Sequence, residues 1–298
     1  MLVYPPGSSE PLRGDVVVRT IHRSDLIPIP STIEVVVRDV AETAAFVEGA
    51  KFKAGLMKQE FLIVKVGYGA QSGIVQGSRT GDTKAFIGLL ASCASLAVPR
   101  QRAVVAYESD LLGVMRACGA SASITGSVHV GAFACLIGQT PTFSIAQALR
   151  EAGAALVVGD TGLLEFKRLQ DLQRSKPARQ MLQDSAEIFE SSLVEKSAVP
   201  WAFTVAPDGA LLHGRRESGR VASYMPWKSP TVLANASMAV ITRRILSSIY
   251  APDLRAGQVI TMDGDPMLIV TAAHTMAIGG GGPEQESTTR LWLGKVVQ

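Results

Sequence analysis

Apolar and polar positions alternate along much of the first third of this chain. Ile33–Arg38 places Ile33, Val35 and Val37 on one side and polar or exposed positions on the other, the two-residue period of a half-buried strand. Asp15–Arg23 is similarly β-rich, and Pro28 and Pro30 separate it from the next run. Residues 1–14 are rich in Pro and Gly and read as an extended arm. Lys51–Ala54 predicts a short strand and Glu60–Val66 a stronger one, with Gly73–Arg79 as its hairpin partner. Lys84–Ala97 is apolar on nearly all sides and predicts a buried helix ended by Pro99, after which Gln101–Tyr107 returns to strand. Several short strands with one helix laid on them describe a small barrel or strongly curved sheet.

The rhythm changes in the middle. Leu111, Val114, Met115 and Cys118 recur at helical spacing, with Ser109 as the expected cap, Asp110 favoured by the helix dipole, and Gly119 suited to the left-handed position after the last turn. A polar, Gly-containing stretch leads to a second helix, Pro141–Ala152. Thr140 caps it, Pro141 occupies its first position, Ile145, Ala148, Leu149 and Ala152 form its stripe, and Gly153 stops it. Ala154–Val158 and Leu163–Arg168 then form a hairpin around Gly159–Gly162.

Residues 170–185 are polar, broken at Lys176-Pro177, and read as a linker or surface excursion. Strands resume at Ala202–Val205, at Ala210–His213 across an Asp208-Gly209 turn, and at Val221–Met225. Pro230 opens a helix expected to run to about Tyr250. Gln258–Met262, Met267–His274 and Thr288–Val297 are again strands, with a turn at Asp263–Pro266 and a loop at Gly279–Gly282.

The order helix, loop, capped helix and hairpin over residues 109–168 resembles the hub proteins of phage tail baseplates, a family that includes late control protein D and the hub part of the type VI secretion spike. The stretch 254–293 is similar to the closing barrel of those proteins, and Phe61–Val66 resembles its counterpart in the first half. The resemblance implies an α+β, mainly β fold. It consists of two small tube-type β-barrel domains, each with an associated helix, and a central α/β module of two helices and a hairpin. The expected divisions are residues 1–108, 109–185 and 186–298. It further implies a structural, non-enzymatic role in the virion tail, with assembly in the host cytoplasm. A homotrimer would match three-fold to six-fold symmetry between the tail tube protein and the central spike protein, touch other baseplate proteins, and let DNA pass without specific binding.

Composition changes this picture little. The chain has 298 residues, 47% hydrophobic and only 18% charged, so either much surface is covered by other chains or the core is large. A net charge of +3 is too small to argue for nucleic-acid binding. Arg215, Arg216, Arg220, Arg243 and Arg244 read as a solvated face or inter-subunit salt bridges rather than a phosphate track. Cys93, Cys118 and Cys135 lie in apolar or helical contexts without a CxxC and read as buried free thiols. The N-terminus lacks the pattern of a signal peptide, and the apolar run Phe86–Val98 is too short to span a bilayer, so no membrane insertion is expected.

Candidate chemistry is sparse. Asp160-Thr161-Gly162 is the triplet of aspartic proteases, which need two carboxylates sharing a proton, and it opens a hydrolase reading; a hairpin tip explains the same residues. Gly67–Gly73 follows a strand like a dinucleotide loop, yet strand rather than helix follows it. His22, His129, His213 and His274 show no ligand spacing, and His274 is expected in packing or an interface. No catalytic, metal or cofactor residue is therefore assigned, and no cofactor is expected. Trp201, Trp227 and Trp292 lie beside β-rich sequence, and one of the two Pro-Trp pairs is a candidate interface anchor.

Overall fold

The computed structural model describes residues 1–69, 74–75, 78–79, 83–181, 186–188, 199–216, 219–277 and 287–297. Residues 70–73 of the glycine loop and all of Gly279–Gly282 lie outside them. The first part holds β1 (Val3–Tyr4), β2 (Val17–Asp25), β3 (Ser31–Arg38), β4 (Lys51–Ala54), β5 (Gln59–Gly69), β6 (Ile74–Val75), β7 (Ser78–Arg79) and β8 (Thr83–Leu90). The middle holds β9 (Val104–Asp110), α1 (Leu111–Ala117), β10 (Ile124–Thr125), β11 (His129–Cys135), α2 (Pro141–Ala152), β12 (Ala154–Val158), β13 (Leu164–Arg168) and α3 (Leu169–Gln173). The last part holds β14 (Arg179–Met181), β15 (Ala186–Ile188), β16 (Trp201–Val205), β17 (Leu211–His213), β18 (Ala222–Tyr224), α4 (Pro230–Ala236), β19 (Ala239–Ile249), β20 (Val259–Met262), β21 (Asp265–Ala277) and β22 (Ser287–Val297).

One 12-stranded sheet runs through both ends of the chain in the order β1-β4-β5-β8-β3-β2-β21-β22-β19-β15, with β20 on β21 and β14 on β20. All six strands on one side of the β2–β21 seam come from residues 3–90, and all six on the other from residues 179–297. The seam is antiparallel from Arg19 opposite Ala277 to Asp25 opposite Thr271. Ile33, Val35 and Val37 alternate inward as their spacing predicts, into a core with Phe46, Phe52, Phe61 and Phe86. Beyond the seam the same face continues into Leu246, Ile269, Ala272, Leu291 and Leu293.

Two expected helices are corrected. Lys84–Leu90 belongs to the central strand β8, and only Ala94–Ala97 turns, as a 3-10 helix. β8 lies between β3 and β5 and carries apolar residues on its outer face as well, Ile87 among them at 39% exposure, so its sequence reads as a continuous apolar run that period cannot distinguish from a buried helix. Gly88 lets β8 lie close, since a Cβ there would be 2.9 Å from Phe52 and 3.0 Å from Phe61. The second correction is the helix opened by Pro230, which ends at Ala236; Ala239–Ile249 is a long strand between β22 and β15. Its β-branched residues Val240, Ile241, Thr242 and Ile245 suit that pleat. The partner of β5 is also corrected: it is β8, while Ile74–Val75 pairs with Ser78–Arg79.

The central module forms as its sequence predicts, with one shifted cap. Asp110, not Ser109, caps α1: its Oδ2 accepts from the Leu112 amide at 3.0 Å. Ser109 is instead the penultimate residue of β9, paired with Val130 of β11. Pro141 opens α2 at its first position, Thr140 occupies the cap without a side-chain bond, and Gly153 closes the helix at φ 61°. Ile145, Ala148 and Leu149 bury against Leu111, Val114, Met115, Cys118 and the hairpin, each large apolar side chain contributing about 1.5–3 kcal/mol. β12 is buried on both sides. Leu156 and Val158 face the module core, while Ala155 and Val157 face Leu172, Val259 and Leu268 of the adjoining sheet. The stretch read as a linker is thus partly structural, with α3 anchoring Leu172 and β14 pairing parallel to β20.

Candidate functional site

The seam places two histidines face to face. His22 on β2 stands opposite His274 on β21, with ring centroids 6.2 Å apart. His274 is buried and fully partnered: its Nε2–H donates to the Leu254 carbonyl at 2.9 Å, and its Nδ1 accepts from the Thr289 hydroxyl at 3.0 Å. His22 Nε2–H donates to Ser31 at 2.9 Å, whose hydroxyl donates to Gln59 Oε1 at 3.1 Å. Burial pushes the His22 pKa down to about 4, helped by repulsion from His274 and opposed by Gln59. Burial lowers His274 as well. Both rings are therefore neutral packing and hydrogen-bonding elements at neutral pH, the role expected for His274.

Beside this pair lies a cavity of about 380 Å³ lined by residues of all three parts of the chain. Its walls include Leu2, Ala54, Leu56, Met57, Val158 and Met276, with Gln59, Tyr250 and Arg255 as polar groups among them. Gln59 Nε2 and Arg255 Nε are buried donors without a hydrogen-bond partner among the described residues. Arg255 Nη2 holds Asp160 Oδ1 at 2.5 Å, which ties the central hairpin to the second half. The Asp160 side chain is 91% exposed and paired with a guanidinium. A shared-proton dyad requires the opposite, a carboxylate crowded by another in a shielded site.

The outer surface carries two apolar areas. In the small sheet β17-β16-β18, Ala202 and Thr204 face α4, while Trp201, Phe203, His213 and Tyr224 share the other face. Trp201 and Phe203 lie 5.3 Å apart, Phe203 and Tyr224 5.4 Å apart, and Arg216 covers the Trp201 ring at 5.6 Å. Beyond Tyr224 along the chain, Trp227 is 87% exposed at φ 62°, a conformation rare for a bulky residue. The second area combines Val105 and Tyr107 of β9 with Leu136, Ile137 and Phe143, all exposed, around a shallow groove at Ala132, Ala134 and Gln147.

The remaining sequence candidates are dispersed. His129 pairs with Glu108 at 3.0 Å on the surface, and His213 packs edge-on against Trp201. Arg215, Arg216 and Arg220 flank the small sheet, whereas Arg243 and Arg244 sit on β19. Cys93, Cys118 and Cys135 are buried and free. Among the described residues no group of three His, Cys, Asp or Glu side chains is placed to hold a metal, and no helix is long and apolar enough to cross a membrane. Sequence reasoning missed Gln59, Tyr250 and Arg255, which only the seam brings together. The alternation in Trp201–Val205 did carry a signal for the aromatic face.

No family model matches the chain, and no curated protein matches it. Solved structures do. A tail protein from Neisseria meningitidis is similar at 10% identity with a TM-score of 0.65, covering 99% of this chain and 96% of that one. The 43 kDa tail protein of prophage MuSo2 from Shewanella oneidensis is similar at 10% identity and a TM-score of 0.64, over 99% and 98% of the two chains. The E. coli c3393 protein, a component of the type VI secretion system with structural similarity to the T4 tail proteins gp27 and gp5, is similar at 10% identity and a TM-score of 0.57, over 100% and 77%. The chain therefore has, from end to end, the mainly β fold shared by phage tail proteins and this gp27- and gp5-like secretion component.

Proposed function

We propose that this protein is the structural hub of a phage tail baseplate, a homotrimer that joins the tail tube to the central spike. The observation that carries the reading is the full-length likeness to two tail proteins, which extends through both halves and the central module. The single sheet supports it: two six-strand sets joined at one seam give each chain two faces, and three chains in a ring would offer six to a tube. The sheet face opposite the core suits a channel wall. It carries Ile21, Val36, Ile245 and Trp292 half-exposed, and its arginines are matched by acids, Arg19 with Glu34 at 3.0 Å and Arg23 with Asp25 at 2.8 Å. Such a wall has little net charge to hold a passing duplex, which is how DNA traverses it without specific binding. The exposed aromatic sheet and the β9–β11 area serve as contacts to neighbouring subunits, spike or other baseplate proteins. The three residue ranges 1–108, 109–185 and 186–298 act as two tube-forming parts and a bracing module.

Light scattering on the purified protein, alone and mixed with its tube and spike partners, tests this reading. The expected mass is three times the 31.5 kDa chain. A protein that stays monomeric in every mixture overturns it. A hub of a type VI-like apparatus is the second reading, favoured by the likeness to the E. coli component. Finding the trimer in tailed particles selects the first, and finding it with a secretion sheath selects the second.

A further inference from the structure

A second cavity, of about 410 Å³, opens where the central module meets both halves of the chain, and its size falls within the range of small-molecule sites, roughly 300–1,000 Å³. Leu26 and Ile27 reach it from the loop after β2, Leu149 and Arg150 from α2, and Val199 and Met238 from the last part. Among the described residues that line it, Arg150 alone carries a polar side chain. Its Nε donates to the Ala236 carbonyl at 3.0 Å, at the end of α4, and Ala236 also lines the cavity, so the guanidinium is fixed at the wall. Nη1 and Nη2 are left over. Neither takes a partner among the described residues, and neither is shut off from the surface as the Arg255 Nε is. The adjacent acid, Glu151, is engaged by Lys228 at 2.7 Å and by Gln147 at 3.0 Å, and it stands outside the lining. A half-buried guanidinium on an apolar wall attracts an anion more strongly than one in open water, because fewer waters screen it.

We propose that this cavity binds an apolar group carrying a single carboxylate, the carboxylate oxygens accepting from Nη1 and Nη2 of Arg150 and the apolar part lying against Leu26, Leu149 and Met238. The end-on pair of Nη groups presents two donors side by side, which matches the two oxygens of a planar carboxylate. Anchoring Nε on Ala236 leaves the side chain less freedom to lose on binding. With no acid in the lining a cation has no partner there, and a neutral apolar molecule leaves the guanidinium unanswered. The inference stands independently of the hub reading, since it needs only the folded chain.

The test is calorimetric titration of the purified full-length protein with octanoate, with octanol and octylamine as matched controls. Octanoate is expected to bind at one site per chain and at least about tenfold more tightly than either control, the size of one charge-assisted hydrogen bond. Arg150→Met keeps the apolar body of the side chain and removes its charge, so it should bring octanoate down to the affinity of octanol. Ala146 sits exposed on α2 at the rim of the cavity. Ala146→Trp should therefore block octanoate without disturbing the core, which keeps the test valid even if Arg150→Met loosens the end of α4. The peptides acetyl-Leu-Glu-Leu amide and acetyl-Leu-Gln-Leu amide separate two sources of the carboxylate. A Glu peptide that outbinds both its Gln twin and octanoate identifies an acidic side chain of a partner protein, and a Glu peptide weaker than octanoate identifies a free amphiphile. Octanoate binding no tighter than octanol, or octanoate binding unchanged by Arg150→Met or by Ala146→Trp in proteins with unchanged circular dichroism spectra, overturns the proposal.

Discussion

Gly153 ends α2 at φ 61°, and a Cβ added there would fall 2.4 Å from Met238 Cε and 3.3 Å from Asn235. Strain and contact therefore act together. Gly153→Val is expected to destabilise the protein by about 1 kcal/mol or more, read as a lower thermal midpoint, and to reduce incorporation into particles. An unchanged midpoint would mean that the helix end tolerates a side chain the geometry forbids. Asp160 makes the opposite case. Its carboxylate is exposed to water and meets a guanidinium that is only 12% exposed, so Asn, whose amide oxygen can still accept from Arg255, loses only the charge assistance, about 1 kcal/mol. Asn preserves the hairpin tip, so Asp160→Asn should assemble at near-normal yield. Complete particles lacking one proteolytic processing step would instead revive the hydrolase reading. Neighbouring residues can exchange roles without changing the element: Asp110 rather than Ser109 caps α1 because β9 continues through the Asp110–His129 pair.

At the scale of elements, periodicity worked where polar residues mark the outer face and failed where apolar residues occupy both faces. α1, α2 and the β12–β13 hairpin were legible because their stripes and stop signals agree, Gly119 at φ 94° and Gly153 at φ 61° among them. β8 and β19 were not. Each is covered by strands on both sides, so its neighbours in the sheet, and not its own period, decide between strand and helix. The small sheet β17-β16-β18 is short enough to be read from its Asp208-Gly209 turn, and the chain leaves it through the exposed Trp227. That residue contributes little to the fold it projects from. Trp227→Ala should leave the thermal midpoint within a degree or so while lowering the fraction of three-chain or partner-bound species in light scattering. Equal assembly of the variant and the parent would remove this face from the interface.

For the whole molecule, the seam sets how stability responds to acid. His22 has an ordinary pKa of 6.5 unfolded and about 4 folded. Between those values the unfolded chain holds more protons than the folded one, so stability rises with pH across that window. Its share is fully present above about pH 6.5 and is lost progressively as pH falls toward about 4; His274 shifts in the same direction. Urea midpoints at about pH 7.5 and about pH 5 should differ in the parent, by up to about 1.4 kcal/mol per pH unit for one such group. In His22→Gln that difference should shrink. An equal acid response in the variant would show that the seam histidine stays uncharged for another reason or titrates unchanged.

Legible from the chain alone were the mainly β character, the central helix-helix-hairpin module with its stop glycines, the burial of the three cysteines, and the order of elements. Each of these rests on contacts between residues close along the chain, where spacing, Gly, Pro and Asp have direct conformational meaning. Long-range packing fixed the pairing of β2 with β21. It also decided that Lys84–Leu90 and Ala239–Ile249 are strands, and that Gln59, Arg255, His22 and His274 share one cavity. Those residues are separated by up to about 250 positions, and sheet pairing at that distance is chosen by which edges remain unpaired and which faces remain uncovered once the local elements have formed.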